Sequence, residues 1–266
     1  MHKIARLSAE ERRRGVVTIS AGNHAQAVGW AAAQLDTPSV VVMPEGASPI
    51  KASASRGYGA EVVIHGTVHE AFEKAHQLAR ERDLTFVHPF DDDDTIAGQG
   101  TVGLELMEQI DEPDLVIVPV GGGGLISGTV TAIKAIRPSV TVIGVEPEGA
   151  CAMRRSLDAG QVVHLDAVNT VADGLAPPMA GTRNLEIVRR LVDDVVVVND
   201  DDIIDAMGLL LTRTKLLTEP AGAAGLAGLL SGRITPKPDS RVVLVLSGGN
   251  VSLARISEFS ARWNAL

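Results

Sequence analysis

DLVIVPVGGGGLISGTVTAIKAI, residues 114–136, is a strand that turns into a helix through four glycines. Leu115 to Val120 is a continuous apolar, largely β-branched run, the pattern of a strand covered on both faces. Leu125 to Ile136 is apolar at helical length. Gly121, Gly122, Gly123 and Gly124 therefore sit at the carboxyl end of a strand and the amino end of a helix. Backbone without side chains lets an anion approach several N–H groups there, and the helix dipole adds a favourable field. A flexible turn explains a lone glycine corner equally well. The flanks favour a phosphate: the run is not a Ser/Gly linker. It has neither the lysine of a P-loop nor the spacing of a dinucleotide fingerprint, so a phosphate other than a nucleotide's is expected.

Outward from this corner the same rhythm repeats. Strand-length runs at Val16 to Ile19, Val40 to Met43, Glu61 to Ile64, Val140 to Val145, Val195 to Val198 and Val242 to Leu246 alternate with helix-length segments such as Ala25 to Leu35. This is the signature of a parallel α/β protein. Two more corners end strands: Ser20-Ala21-Gly22-Asn23-His24 and Ser247-Gly248-Gly249-Asn250. Each alone reads best as a capping turn. Three at the carboxyl ends of parallel strands mark the place where ligands of such folds bind. The acidic run Asp91 to Asp94 precedes a helix-like stretch, Thr95 to Ile110, and marks a possible crossing between lobes as well as a solvated N-cap. Lys3 to Arg14 reads as the second half of a helix, with no strand ahead of it.

The composition excludes several classes. A formal net charge of -9 and a single tyrosine with two tryptophans oppose binding to nucleic acid. No apolar run approaches the roughly 20 residues that span a bilayer, so no membrane partner is expected. The lone cysteine, Cys151, forms no intramolecular disulfide, and no leader pattern opens the chain, which points to the cytoplasm.

The ordered set SAGNHAQA (Ser20 to Ala27), His88-Pro89-Phe90-Asp91, Ala97-Gly98-Gln99-Gly100-Thr101, the tetraglycine loop, Gly144-Val145-Glu146-Pro147, Ala172-Asp173-Gly174, Glu219-Pro220-Ala221-Gly222-Ala223 and SGGN resembles the pyridoxal 5'-phosphate (PLP) dependent threonine/serine dehydratases. These have the tryptophan-synthase-β-like fold, fold type II. The resemblance runs nearly the whole length. It implies a two-lobed α/β protein of parallel sheets flanked by helices. The small lobe is expected near residues 15–92, and the large lobe from 1–14 and 93–266. Gly121, Gly122, Gly123, Gly124 and Leu125 would cradle the cofactor phosphate, Asn23 would bond the ring hydroxyl, Ser247 would face the pyridine nitrogen, and Glu219 would lie near the ring. The backbone of Ser20, Ala21, Gly22, Asn23 and His24 would clamp the substrate carboxylate.

The implied activity is threonine ammonia-lyase, giving 2-oxobutanoate and ammonia, with serine going to pyruvate. The partners implied are a small amino-acid substrate and a second copy in a homodimer. Serine racemase or 3-hydroxyaspartate dehydratase is the rival within the fold, although Ala21 stands where racemases place a second serine. A non-catalytic protein that binds PLP or an amino acid is the rival outside it. The family's Schiff-base lysine lies in a Ser-Phe-Lys-x-Arg-Gly-Ala motif, a few residues before an Asn-Lys-Ile stretch. None of Lys3, Lys51, Lys74, Lys134, Lys215 and Lys237 has that setting, and Lys3-Ile4 resembles the end of the Asn-Lys-Ile stretch. The expectation is a truncated or mis-started dehydratase that is nearly inactive as given. A cation site of related enzymes would use Glu146 and the carbonyl of Ala150 for Mg2+ or Ca2+, with Ala152 where an aspartate belongs.

Overall fold

The computed structural model describes residues 1–47 and 49–263. In chain order the elements are α1 (His2–Arg6), α2 (Ala9–Arg14), β1 (Val16–Ile19), α3 (Asn23–Ala33), β2 (Ser39–Met43), α4 (Pro49–Gly57), β3 (Glu61–Ile64), α5 (Val68–Glu81), β4 (Thr85–Phe86) and α6 (Asp93–Gln109). Next come β5 (Leu115–Pro119), α7 (Gly124–Ile136), β6 (Thr141–Pro147), α8 (Ala152–Ala159), α9 (Thr182–Leu191), β7 (Asp194–Val198), α10 (Asp200–Leu209), α11 (Pro220–Leu230), β8 (Val242–Leu244) and α12 (Leu253–Trp263). The chain divides into two compact units, Met1–Gly98 and Gln99–Leu266. Each is built on a four-stranded, all-parallel sheet, in the order β3-β2-β1-β4 in the first and β7-β6-β5-β8 in the second.

The unbroken apolar runs have the expected cause. In the first unit Val17, Ile19, Val40 and Val42 pack on Ala71, Ala75 and Leu78 of α5. Their neighbours face the other way: Val16 meets Val28, Ala31 and Ala32 of α3, while Val41 and Met43 meet Ala25 and Ala52. Successive strand side chains point to opposite faces, so a strand roofed on both sides must be apolar at every position. The second unit repeats this. Leu115 and Ile117 face Ala221, Ala223 and Ala224 of α11 and Ile203 of α10. Val116 and Val118 face Ile126, Val130 and Ile133 of α7 and Leu185 and Val188 of α9. Each fully buried valine, leucine or isoleucine contributes roughly 1.5–3 kcal/mol by leaving water.

Three local features depart from the sequence reading. Lys3 to Arg14 is not one helix. Ser8 accepts from Glu11 N while Glu11 bonds back to Ser8 N, and this capping box starts α2 afresh. The two-residue strand β4 is too short to carry a pattern. The unit boundary falls inside α6 rather than at residue 92, and residues 1–14 cluster with the first unit. Ile4 is buried against Val16 and Val28, and Lys3 Nζ lies 2.7 Å from Asp92 Oδ2. Near the end of the described chain, Trp263 donates from Nε1 to Ile204 O and its ring packs over Gly208, where a β-carbon would collide with it. No helix among the described residues is long and apolar enough to cross a membrane.

Candidate active site

The glycine corner of the second unit forms as expected. The ladder of β5 continues to Val120, which donates to Val145 O. Gly121 then passes so close to the short turn Asp173–Leu175 that a β-carbon would lie 3.1 Å from Leu175 Cα. Gly123 adopts φ +94°, a left-handed conformation. A β-carbon there would lie 2.6 Å from Met153 Cε and 2.8 Å from Asn184 Cβ. Conformation and space both demand glycine. α7 begins at Gly124, and its first bond runs from Ser127 N to Gly123 O. The amides of Gly124, Leu125 and Ile126 therefore precede any intrahelical partner, the condition for binding an anion at a helix start.

The Gly122 carbonyl is turned the other way. It accepts from Gly181 N at 3.0 Å and from Asn184 Nδ2 at 2.9 Å. Neither residue stood out in the sequence. Asn184 lies in α9, 62 residues along the chain, and a polar residue near a helix start gives no local sign that it is wholly buried.

The same unit carries the third corner. Glu219 N donates to Gly248 O at 3.0 Å, and a β-carbon at Gly222 would lie 2.7 Å from that oxygen. The loop from Ser247 thus leans on the start of α11, with Ser247 exposed and Glu219 buried. A β-carbon at Gly174 would lie 2.9 Å from Ala221 Cβ, so the Asp173–Leu175 turn touches both the glycine corner and the start of α11. The glycine loop, Glu219 and Ser247 are linked within one unit.

The asparagine corner belongs to the first unit. Ser20 N extends the β1 ladder to Val42 O, and Ser20 Oγ accepts from Gly22 N at 3.0 Å. Asn23 opens α3, with Gly22 as an N-cap that has no side chain to cap the first amides of the helix. His24 is next, its Nε2 at 3.4 Å from Val87 O. His24 is half-buried by area, yet desolvation of its ring holds the pKa down to about 4, against the pull of the Val87 carbonyl. It is neutral at physiological pH. Nearby, His88 Nδ1 accepts from Asp91 N at 2.8 Å and from Phe90 N at 3.2 Å, which fixes the His-Pro-Phe-Asp turn.

Glu146 is not placed as a cation ligand. Its carboxylate is wholly buried, Oε1 accepting from Met153 N at 2.8 Å and Oε2 from Arg154 N at 2.7 Å. It caps α8, whose own N-cap, Cys151, makes no side-chain capping bond. Burial pushes its pKa up to about 8, opposed by those two amide bonds. Ala150 only closes the short turn Glu148–Ala150. Among the described residues no group of three or more histidines, cysteines or carboxylates could hold a metal. With Ala152 lacking a donor, the residues present do not fit Mg2+ or Ca2+. Four lysines are bound elsewhere: Lys3 to Asp92, Lys74 to Gln77, Lys134 to Asp193, and Lys215 to the Thr212 carbonyl.

A side-chain-free cradle of helix-start amides, in a parallel α/β unit and without a nucleotide fingerprint, fits the phosphate of a pyridoxal cofactor. The chain belongs to the pyridoxal-phosphate dependent enzyme family, whose model matches residues 1–248. Within it, the chain is similar to the catabolic L-threonine dehydratase TdcB of Escherichia coli (strain K12), with 43% identity over 261 residues, covering 97% of this chain and 79% of the relative. It is 47% identical over 249 residues to the L-threonine ammonia-lyase of Geobacter sulfurreducens, covering 93% of this chain and 62% of that relative. Among solved structures, the processed form of threonine deaminase isoform 2 from Solanum lycopersicum superposes with a TM-score of 0.92 at 36% identity, over 100% of this chain and 78% of that one. Maize serine racemase does so with a TM-score of 0.92 at 38% identity, over 99% and 82%.

Proposed function

We propose that the chain serves a PLP-dependent threonine ammonia-lyase that also acts on serine. The observation that carries this reading is the glycine cradle, in a chain 43% identical to a threonine dehydratase over nearly its whole length. When bound, the cofactor supplies an electron sink that stabilises loss of the α-proton and departure of the β-hydroxyl. Gly121 to Leu125 hold the phosphate through backbone amides. Ser247 would present a neutral hydroxyl to the ring nitrogen, and the buried Glu219 would lie near the ring. Asn23 would bond the ring hydroxyl, and the amides of Ser20 to His24 would take the substrate carboxylate, with His24 neutral and adding no charge of its own. Ala21 offers no hydroxyl to return a proton to the carbanion, which favours elimination over racemisation. A cytoplasmic homodimer completes the reading.

The lysine that the resemblance calls for is not among residues 1–266, so the expected result for this chain alone is PLP binding with negligible turnover. A small primary amine in the assay is expected to restore release of ammonia and 2-oxobutanoate from threonine. Ammonia from 3-hydroxyaspartate alone, or D-serine from L-serine, would overturn the substrate assignment. PLP binding with no product under any amine would favour the non-catalytic alternative, and sedimentation of the chain as a monomer would remove the dimer.

A further inference from the structure

We propose that Asn184 is a positioning residue for the cofactor phosphate, acting through the peptide that joins Gly122 to Gly123. The inference rests on the reading of the glycine loop as a phosphate cradle. Asn184 is fully buried in the first turn of α9, and its Nδ2 donates to Gly122 O at 2.9 Å. Gly181, the N-cap of the same helix, donates to that oxygen at 3.0 Å. One carbonyl thus takes two donors from the start of α9.

Peptide planarity carries this to the other side of the loop. In a trans peptide the carbonyl and the next N–H point in opposite directions, and no cis peptide occurs among the described residues. Drawing Gly122 O onto α9 aims the Gly123 N–H away from it. Glycine rotates easily, so this peptide has little intrinsic preference for either orientation. The side chain of Asn184 also fills the space beside Gly123 and, with Met153, excludes any β-carbon there. Asn184 therefore fixes one donor of the cradle and guards its bare surface without touching the ligand itself.

Asn184→Asp tests this with little change of volume. The ionised carboxylate cannot donate, and it repels the carbonyl it faces. The dissociation constants of three probes, PLP, inorganic phosphate and phosphate-free pyridoxal, are measured for wild type and variant by equilibrium dialysis, with thermal melting as the control of folding. The expected result is about a tenfold loss for PLP and inorganic phosphate, the effect of one displaced hydrogen bond, with pyridoxal unchanged. Protonation restores a donor, so the gap between wild type and variant narrows as the pH falls and the buried carboxyl takes up its proton. Equal losses for PLP and pyridoxal, or no loss, would overturn the proposal. If wild type itself binds PLP no better than pyridoxal and ignores inorganic phosphate, the phosphate-cradle reading fails instead. Should Asn184→Asp not fold, Asn184→Ser keeps a hydroxyl donor of shorter reach and is expected to show the same phosphate-selective loss.

Discussion

At the scale of single residues, the candidate site is defined by what glycine lacks. Gly123 is required twice, by φ +94° and by Met153 and Asn184 standing where a side chain would go. Gly123→Ala is therefore expected to cost about 1–2 kcal/mol of stability from the left-handed backbone alone. Repacking of the neighbours adds to that. It should also abolish the preference for PLP over pyridoxal, which chemical denaturation and dialysis would check. An unchanged denaturation midpoint with intact PLP selectivity would show that the loop tolerates a side chain and is no close cradle. The four glycines were legible because a run of them has few structural explanations. Asn184 was not, since its significance comes from burial and from a carbonyl 62 residues away. Nor was the role of Glu146, where the sequence suggested a ligand and the fold uses a helix cap.

At the scale of elements, the alternation of runs disclosed the sheets because burial on both faces writes an unbroken apolar string. Val16 to Ile19 and Leu115 to Pro119 are buried at every position. Glu61 to Ile64, on the edge of its sheet, is not buried at any. The elements that stayed hidden are those fixed by few residues: β4, the break at Ser8, and the short turns at 148–150 and 173–175. The start of α8 makes a testable case. Glu146 is buried with its pKa raised from 4.5 to about 8, so the folded state holds its proton more tightly than the unfolded chain. That contribution is fully present below about pH 4.5 and lost as pH rises through about 8. In Glu146→Gln this dependence is expected to disappear. The slope of unfolding free energy against pH over that window should flatten relative to wild type, and an unchanged slope would place the titration elsewhere.

At the scale of the whole molecule, each of the two units holds one buried group with a large pKa shift, and the two shifts run in opposite senses. The first holds His24, whose pKa is lowered from 6.5 to about 4. An imidazole kept neutral by folding stabilises above about pH 6.5, and its contribution is lost as pH falls through about 4. The second holds Glu146, with the reverse behaviour. Acid is thus expected to weaken the unit Met1–Gly98 first, and mild alkali the unit Gln99–Leu266. Amide hydrogen exchange measured unit by unit would test this. His24→Gln, which keeps a donor for the Val87 carbonyl, should protect the first unit against acid, and equal acid lability of both units would contradict the assignment. The tryptophans divide between the same units. Trp30 stands 46% exposed on α3, and Trp263 is packed over Gly208 with its indole bonded to Ile204 O. The chain therefore carries one tryptophan per unit, a wet one emitting to the red and a sheltered one to the blue. With either replaced by phenylalanine, the emission of the other reports the opening of its own half alone.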